Sequence, residues 1–100
     1  MGETMINIAR DFSRAPAGRY ISDGPNSGQR FRDQFLVPAL ANGGCVTLEL
    51  DGVRAYGSSF LEEAFGGLVR TGFAAVDLMR RFRFKTSDPS LVTEINSYWR

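Results

Sequence analysis

Histidine is absent from the 100 residues, and cysteine occurs once, at Cys45. Without His, one chain cannot build a Ser-His-Asp or Cys-His nucleophile system, and it lacks the commonest general acid/base. Zinc sites that need His are excluded, and a single Cys supplies neither an all-cysteine metal site nor an internal disulfide. Cys45 lies beside an apolar run, where it reads as a buried core thiol. Lysine is scarce as well: Lys85 is the one Lys among twelve cations, and the rest are Arg. The net charge is +1, so the strong basic excess typical of nucleic-acid binding is missing. Arg prefers forked pairing with carboxylates and phosphates, which keeps local anion contacts open. No apolar run approaches the roughly 20 residues that span a bilayer. The start, Met1-Gly2-Glu3-Thr4-Met5, lacks a basic segment followed by an apolar one. The expectation is a cytoplasmic protein with no membrane segment, cofactor or metal.

What is present fits one globular α/β domain over residues 1–100. Hydrophobic residues make up 43% and charged residues 23%, an ordinary folded composition. Eight Phe supply large apolar surfaces for a core. Met5 to Ala9 alternates apolar and polar residues and reads as a first strand. Arg19-Tyr20-Ile21, reached through a Pro16 and Gly18 turn, reads as a short second strand folded back in a hairpin. After the turn formers of residues 22–28, Ser27 can cap a helix that places Phe31, Phe35, Leu36 and Leu40 on one face, loosened at Pro38. Cys45 to Leu50 is a strong strand bounded by Asp51-Gly52. From Ser58 to Arg70 the apolar residues fall at helical spacing, and Ser59 with Glu62 forms an S-x-x-E capping box. Gly66-Gly67 is costly inside a helix, and close approach to a neighbouring element is the expected reason. A short helix over 74–80, a strand over 81–85 and a last helix begun by Asp88-Pro89 complete the chain. No repeats, linkers or low-complexity tracts occur.

The resulting order is β-β-α-β-α-β-α: a mixed, mostly parallel sheet packed by helices. Parallel strands would gather the loops at 22–28, 57–59 and 86–88 on one rim, where ligand sites of open α/β sheets lie. Helix N-termini there offer amides to anions. Candidate contacts for a partner or anion are Arg19, Ser27, Arg30, Ser58, Ser59 and Phe60, with Thr86, Ser87 and Lys85 nearby. Ser27 and Ser59 have an obvious competing task as helix caps. Ser58 has none, and a phosphate on it would be favoured by the helix N-terminus. A Phe left exposed beside the turn, Phe60 being nearest, would serve as an anchor.

The stretch 48–70, centred on Ser58-Ser59-Phe60-Leu61-Glu62-Glu63-Ala64-Phe65-Gly66-Gly67, resembles the STAS-like domain of unknown function. Gly18-Arg19-Tyr20, residues 27–32 and the Phe82–Lys85 strand fit the same family, so the likeness covers nearly the whole chain. More distantly it is similar to the bacterial STAS domains of anti-sigma factor antagonists. In those a strand leads into an Asp-Ser-Ser-Gly turn whose first serine is phosphorylated by a partner kinase. That serine corresponds to Ser58; Gly57 stands at the Asp position and Phe60 at the Gly position. The resemblance implies a signalling module whose partner is a histidine-kinase-type ATPase or an anti-sigma factor.

Four functions can be weighed. The first is a non-enzymatic interaction module that binds a protein through the turn and helix at 57–69. The second is a small-ligand or nucleotide sensor holding an anion at the helix N-termini, although no Walker or dinucleotide glycine pattern is present. The third, an enzyme, is poorly served: Glu62 and Glu63 are adjacent and point about 100° apart on a helix. The fourth is single-stranded nucleic acid on Arg80 to Lys85. There strand alternation, with Phe82 and Phe84 inward and the arginines outward, is the simpler explanation.

Overall fold

The structure is a computed structural model that describes residues 2–99. Its sheet has three strands in the order β1-β2-β3: β1 (Glu3–Asn7), β2 (Cys45–Glu49) and β3 (Phe82–Lys85). Both pairings are parallel, Glu3 to Asn7 against Cys45 to Glu49, and Val46 to Glu49 against Phe82 to Lys85. Among the described residues, four helices of seven residues or more accompany it, and a single π turn, Ile8–Phe12, follows β1. Helix α1 covers residues 28–41 and α2 residues 58–70, each with a widened π turn in its middle, at Arg32–Leu36 and Glu62–Gly66. Then come α3 (Ala75–Arg81) and α4 (Pro89–Ser97).

Because the strands follow sequence order, right-handed crossovers carry α1 and α2 to the same side of the sheet. The register separates the two faces. Ile6, Val46, Leu48 and Phe82 are buried, and Phe84 packs partly buried against the same core. The alternate positions on the other face are Glu3, Met5, Asn7, Cys45, Thr47, Glu49, Arg83 and Lys85. All of these except Thr47 are exposed or half-buried. The clean alternation read in the sequence therefore marks a one-sided sheet, unusual for parallel strands, which tend to be covered on both faces.

The expected second strand at Arg19–Ile21 does not form, so the sheet is wholly parallel rather than mixed. The donors a hairpin would use are satisfied locally. The Asp23 carboxylate accepts from the amides of Arg19 (3.1 Å) and Tyr20 (2.8 Å), and the Gln29 side-chain oxygen accepts from the Ile21 amide (3.0 Å). A 3-10 turn, Ile21–Asp23, takes the place of the strand. The segment is tied to the start of α1 instead, through Gly28 N–H to Gly18 C=O (3.0 Å) and Gln29 N–H to Arg19 C=O (2.9 Å).

The core is aromatic. Phe31, Phe60 and Phe65 are fully buried between the helices. At the other end of the core Trp99 packs on Phe65, Phe82 and Phe84 and donates its indole N–H to the Phe65 carbonyl (2.9 Å). Helices α1 and α2 meet backbone to backbone. A Cβ at Gly28 would lie 2.5 Å from the Phe60 carbonyl oxygen. A Cβ at Gly67 would overlap the Arg32 guanidinium, which is the close approach that Gly66-Gly67 signalled.

Candidate functional site

The loops that follow β2 and β3 meet at one rim of the sheet. Asp51 joins them. Its Oδ1 accepts from the Ser87 amide (3.0 Å), the Ser87 hydroxyl (3.2 Å) and the Thr86 hydroxyl (3.3 Å). The Ser87 amide bond is the main reason the Asp51 carboxyl is held below its ordinary value, with the hydroxyls helping. Tyr56 closes the loop by donating its hydroxyl to the Leu50 carbonyl (2.8 Å), and burial pushes its phenol upward. The Arg54 amide donates to the Arg14 carbonyl (2.9 Å), binding this loop to the segment after β1. A cavity of about 530 Å³ opens here, lined by Asp51, Arg54, Tyr56, Thr86, Asp88 and Glu94 among others. A second hollow on the far side of Asp51 is lined by Asn7, Arg10, Arg14 and Gly52.

Helix α2 starts at this rim, immediately after Tyr56. Its N-cap is Gly57, which has no side chain to receive a first-turn amide. Gly57, Ser58 and Ser59 are all exposed. Ser59 is therefore not the cap, and the S-x-x-E box does not form. Glu62 is drawn elsewhere: Arg19 and Arg70 each donate to its carboxylate at 2.5 Å. The same cluster holds Glu63, which pairs with Arg32 at 2.6 Å, both side chains being about nine-tenths buried. The Arg70 and Arg19 hydrogen bonds hold the Glu62 carboxyl below its ordinary value. For Glu63 burial pushes upward, yet the bonds from Arg32 and Arg19 outweigh it and the net direction is down. This cluster joins the α1 and α2 faces and the segment at Arg19; it is a structural network, and it explains the room that Gly67 leaves.

The six candidate contacts thus separate. Ser58 and Ser59 are exposed at the rim. Ser27 is fully buried and caps α1, accepting from the Arg30 amide (3.2 Å). Arg30 is engaged by Gln34 (3.1 Å) and the Pro25 carbonyl (2.7 Å). Arg19 belongs to the glutamate cluster. Phe60 is fully buried against Phe12, Phe31 and Tyr56, so it is no exposed anchor: the core lies under the turn and takes the ring. Along α2, Leu61, Ala64, Phe65 and Leu68 are buried too, which restricts any contact at 57–69 chiefly to its first turn. Asp51, Arg54 and Arg14 were not singled out from the sequence. The Asp51-Gly52 pair at a strand end was the available signal, and it was read only as a strand boundary.

Among the described residues no cluster of three or more His, Cys, Asp or Glu is placed to hold a metal ion, and no helix is long and apolar enough to cross a membrane. Residues 27–91 match the model of a family described as a STAS-like domain of unknown function. The match runs from the N-cap of α1 into α4, leaving β1 and the segment before α1 outside it. No curated protein and no solved structure matches the chain.

Proposed function

Because the chain belongs to the family of STAS-like domains of unknown function, we propose that it is a non-enzymatic signalling module that binds a protein partner at the rim around residues 51–59. The observation that carries this reading is the start of α2: Gly57, Ser58 and Ser59 are exposed and without a side-chain cap, while the helix beyond them is core. An amide-rich helix start favours a negative group. A partner carboxylate, or a phosphate on Ser58 itself, would meet that need. The likeness to anti-sigma factor antagonists points to a histidine-kinase-type ATPase or an anti-sigma factor as the partner. Docking along the body of α2 is excluded from this reading by its burial.

A small anion held at the rim is less well supported. The cavity between the loops after β2 and β3 is lined by the carboxylates Asp51, Asp88 and Glu94 against the single cation Arg54. The deciding experiment is calorimetric titration of the chain with a histidine-kinase-type ATPase. Ser58→Asp is expected to weaken binding and Ser58→Ala to preserve it. Equal binding by both variants would remove Ser58 as the switch, and no binding by the unsubstituted chain would remove the partner.

A further inference from the structure

The two edges of the sheet are not alike. At β3 the Arg83 guanidinium folds back onto the carbonyls of Phe82 (3.1 Å) and Arg80 (2.6 Å). Lys85 stands two residues on and is exposed. Charged side chains of this kind are how natural sheets block edge pairing. At β1, among the described residues, such a guard stands at the last residue alone, where the Asp11 carboxylate, itself paired with Arg10, accepts from the Asn7 amide (2.8 Å). Glu3-Thr4-Met5-Ile6-Asn7 has no Pro, Lys or Arg and no bulge. Among the described residues, the backbone of residues 3–6 makes no hydrogen bond outside its pairing with β2, either to side chains or to other loops. Met5 is 58% exposed in the middle of this strand.

We propose that β1 pairs antiparallel with β1 of a second copy, joining two three-stranded sheets into one six-stranded sheet about a two-fold axis. A two-fold normal to the sheet keeps both core faces on the same side. Opposed residues then share a face, so the axis must pass between one residue and the same residue of the other copy. Centring it on Met5 sets all five residues opposite one another, with Asn7 offering its carbonyl alone because its amide is held by Asp11. Met5 then faces Met5 of the other copy, and Thr4 faces Ile6 on the core side. Glu3 faces Asn7, so no carboxylate opposes another, and the Glu3 carboxylate is already engaged by the Thr47 hydroxyl. Cross-strand pairs are the unit of sheet stabilisation, and like charges directly opposed would count against the pairing. The strand therefore satisfies its own mirror demand: an apolar residue at the centre, and an acid across from a neutral amide at the ends. Isologous two-fold contacts of this type are the commonest closed assembly. The contact reaches the rim only at Asn7, which also lines the hollow beside Asp51.

The test is sedimentation equilibrium of the full chain over a dilution series. The expected result is a concentration-dependent mass that moves from the 11.1 kDa monomer toward twice that value. Met5→Lys opposes two ammonium groups on the axis and is expected to weaken association by roughly tenfold or more. Asn7→Asp keeps the acceptor that caps the Arg10 amide (3.0 Å) but sets a carboxylate against Glu3, and should weaken association several-fold. Circular dichroism and the emission of buried Trp99 show that each variant is folded. A monomer at every concentration overturns the proposal and leaves the edge open to a foreign strand. A dimer that Met5→Lys leaves intact overturns it too, because the contact then lies elsewhere. Loss with Met5→Lys but no change with Asn7→Asp overturns the register centred on Met5.

Discussion

Gly28→Ala adds one methyl group where α1 and α2 touch. On helix propensity alone the change is favourable, by up to about 1 kcal/mol. The geometry opposes it. The new Cβ would lie 2.5 Å from the Phe60 carbonyl oxygen and 3.0 Å from the Ala64 amide nitrogen. Both neighbours are backbone, so no rotamer change relieves them. Restoring an ordinary contact of 3.4 Å requires the helices to part by about 0.9 Å. A gap of that size forfeits a quarter to a half of the dispersion energy across it, here beside the buried rings of Phe31 and Phe60. Overpacking of this kind costs about 1–3 kcal/mol. Because Gly28 is the first helical residue, little of that interior propensity gain applies, and the net loss is about 1–3 kcal/mol, or a fall in Tm of roughly 4–24 °C for a domain of this size. Urea unfolding followed by Trp99 emission reads the change directly, with an unaltered m-value if the unfolded state is unaffected. Gly57→Ser is the control: nothing lies within 4 Å of a Cβ there, and a Ser cap replaces a Gly cap, which shifts stability by only a few tenths of a kcal/mol. Equal or higher stability for Gly28→Ala would refute the close packing of α1 on α2.

Two further predictions concern the glutamate cluster and the serines. Glu63→Gln leaves the buried Arg32 guanidinium only the more exposed Asp33 as counter-charge (3.1 Å) and should cost about 3 kcal/mol, against at most about 1 kcal/mol for Glu62→Gln, whose side chain is 30% exposed. Since both carboxyls are lowered on folding, their contribution is complete above the unfolded value near 4.5 and disappears as the pH falls through the folded values. Chemical unfolding between pH 6 and 2 should show a shallower acid loss in Glu63→Gln than in the unsubstituted chain. Ser27→Ala removes a buried cap and should cost about 1 kcal/mol, whereas Ser59→Ala, at an exposed residue that caps nothing, should stay within about 0.5 kcal/mol by thermal unfolding.

The strands β2 and β3 and the four helices were legible because burial imposes period on a chain, two for a strand with one covered face and 3.6 for a helix. Gly66-Gly67 was legible for a different reason: its cost in a helix demanded a compensating neighbour, and at Gly67 the Arg32 guanidinium is that neighbour. What stayed hidden was decided by side chains that compete for backbone donors. Asp23 and Gln29 take the amides of residues 19–21, and no apolar pattern announces that. Likewise Ser59 with Glu62 has the spacing of a capping box, but Arg19, distant in sequence, and Arg70 claim the glutamate. Arg19 and Ser27 looked available for a ligand only because their partners could not be seen. Phe60 was left open as an anchor, should it stand exposed beside its turn, because spacing alone does not say how much ring surface the α1 and Phe12 side can absorb. Ser58 was set apart by having no structural task, and it keeps that standing.

The register of the sheet has a kinetic consequence. Glu3 meets Cys45 and Val46 meets Phe82, so every strand pair closes a long loop that contains a whole helix. No two strands are joined by a short turn that could zip them together. The entropy of closing such loops must be met before sheet hydrogen bonds return anything. The contact made by Phe31 of α1 with Phe60 and Phe65 of α2 closes a shorter stretch of chain than either strand pair, in a single apolar encounter. It leaves β2, which lies between the two helices in sequence, close to its final place. Folding should then be governed by that aromatic meeting, with the central strand positioned first and the two outer strands added to it. Substitutions at Phe31 and Phe60 would slow refolding, while changes in β1 would mainly hasten unfolding.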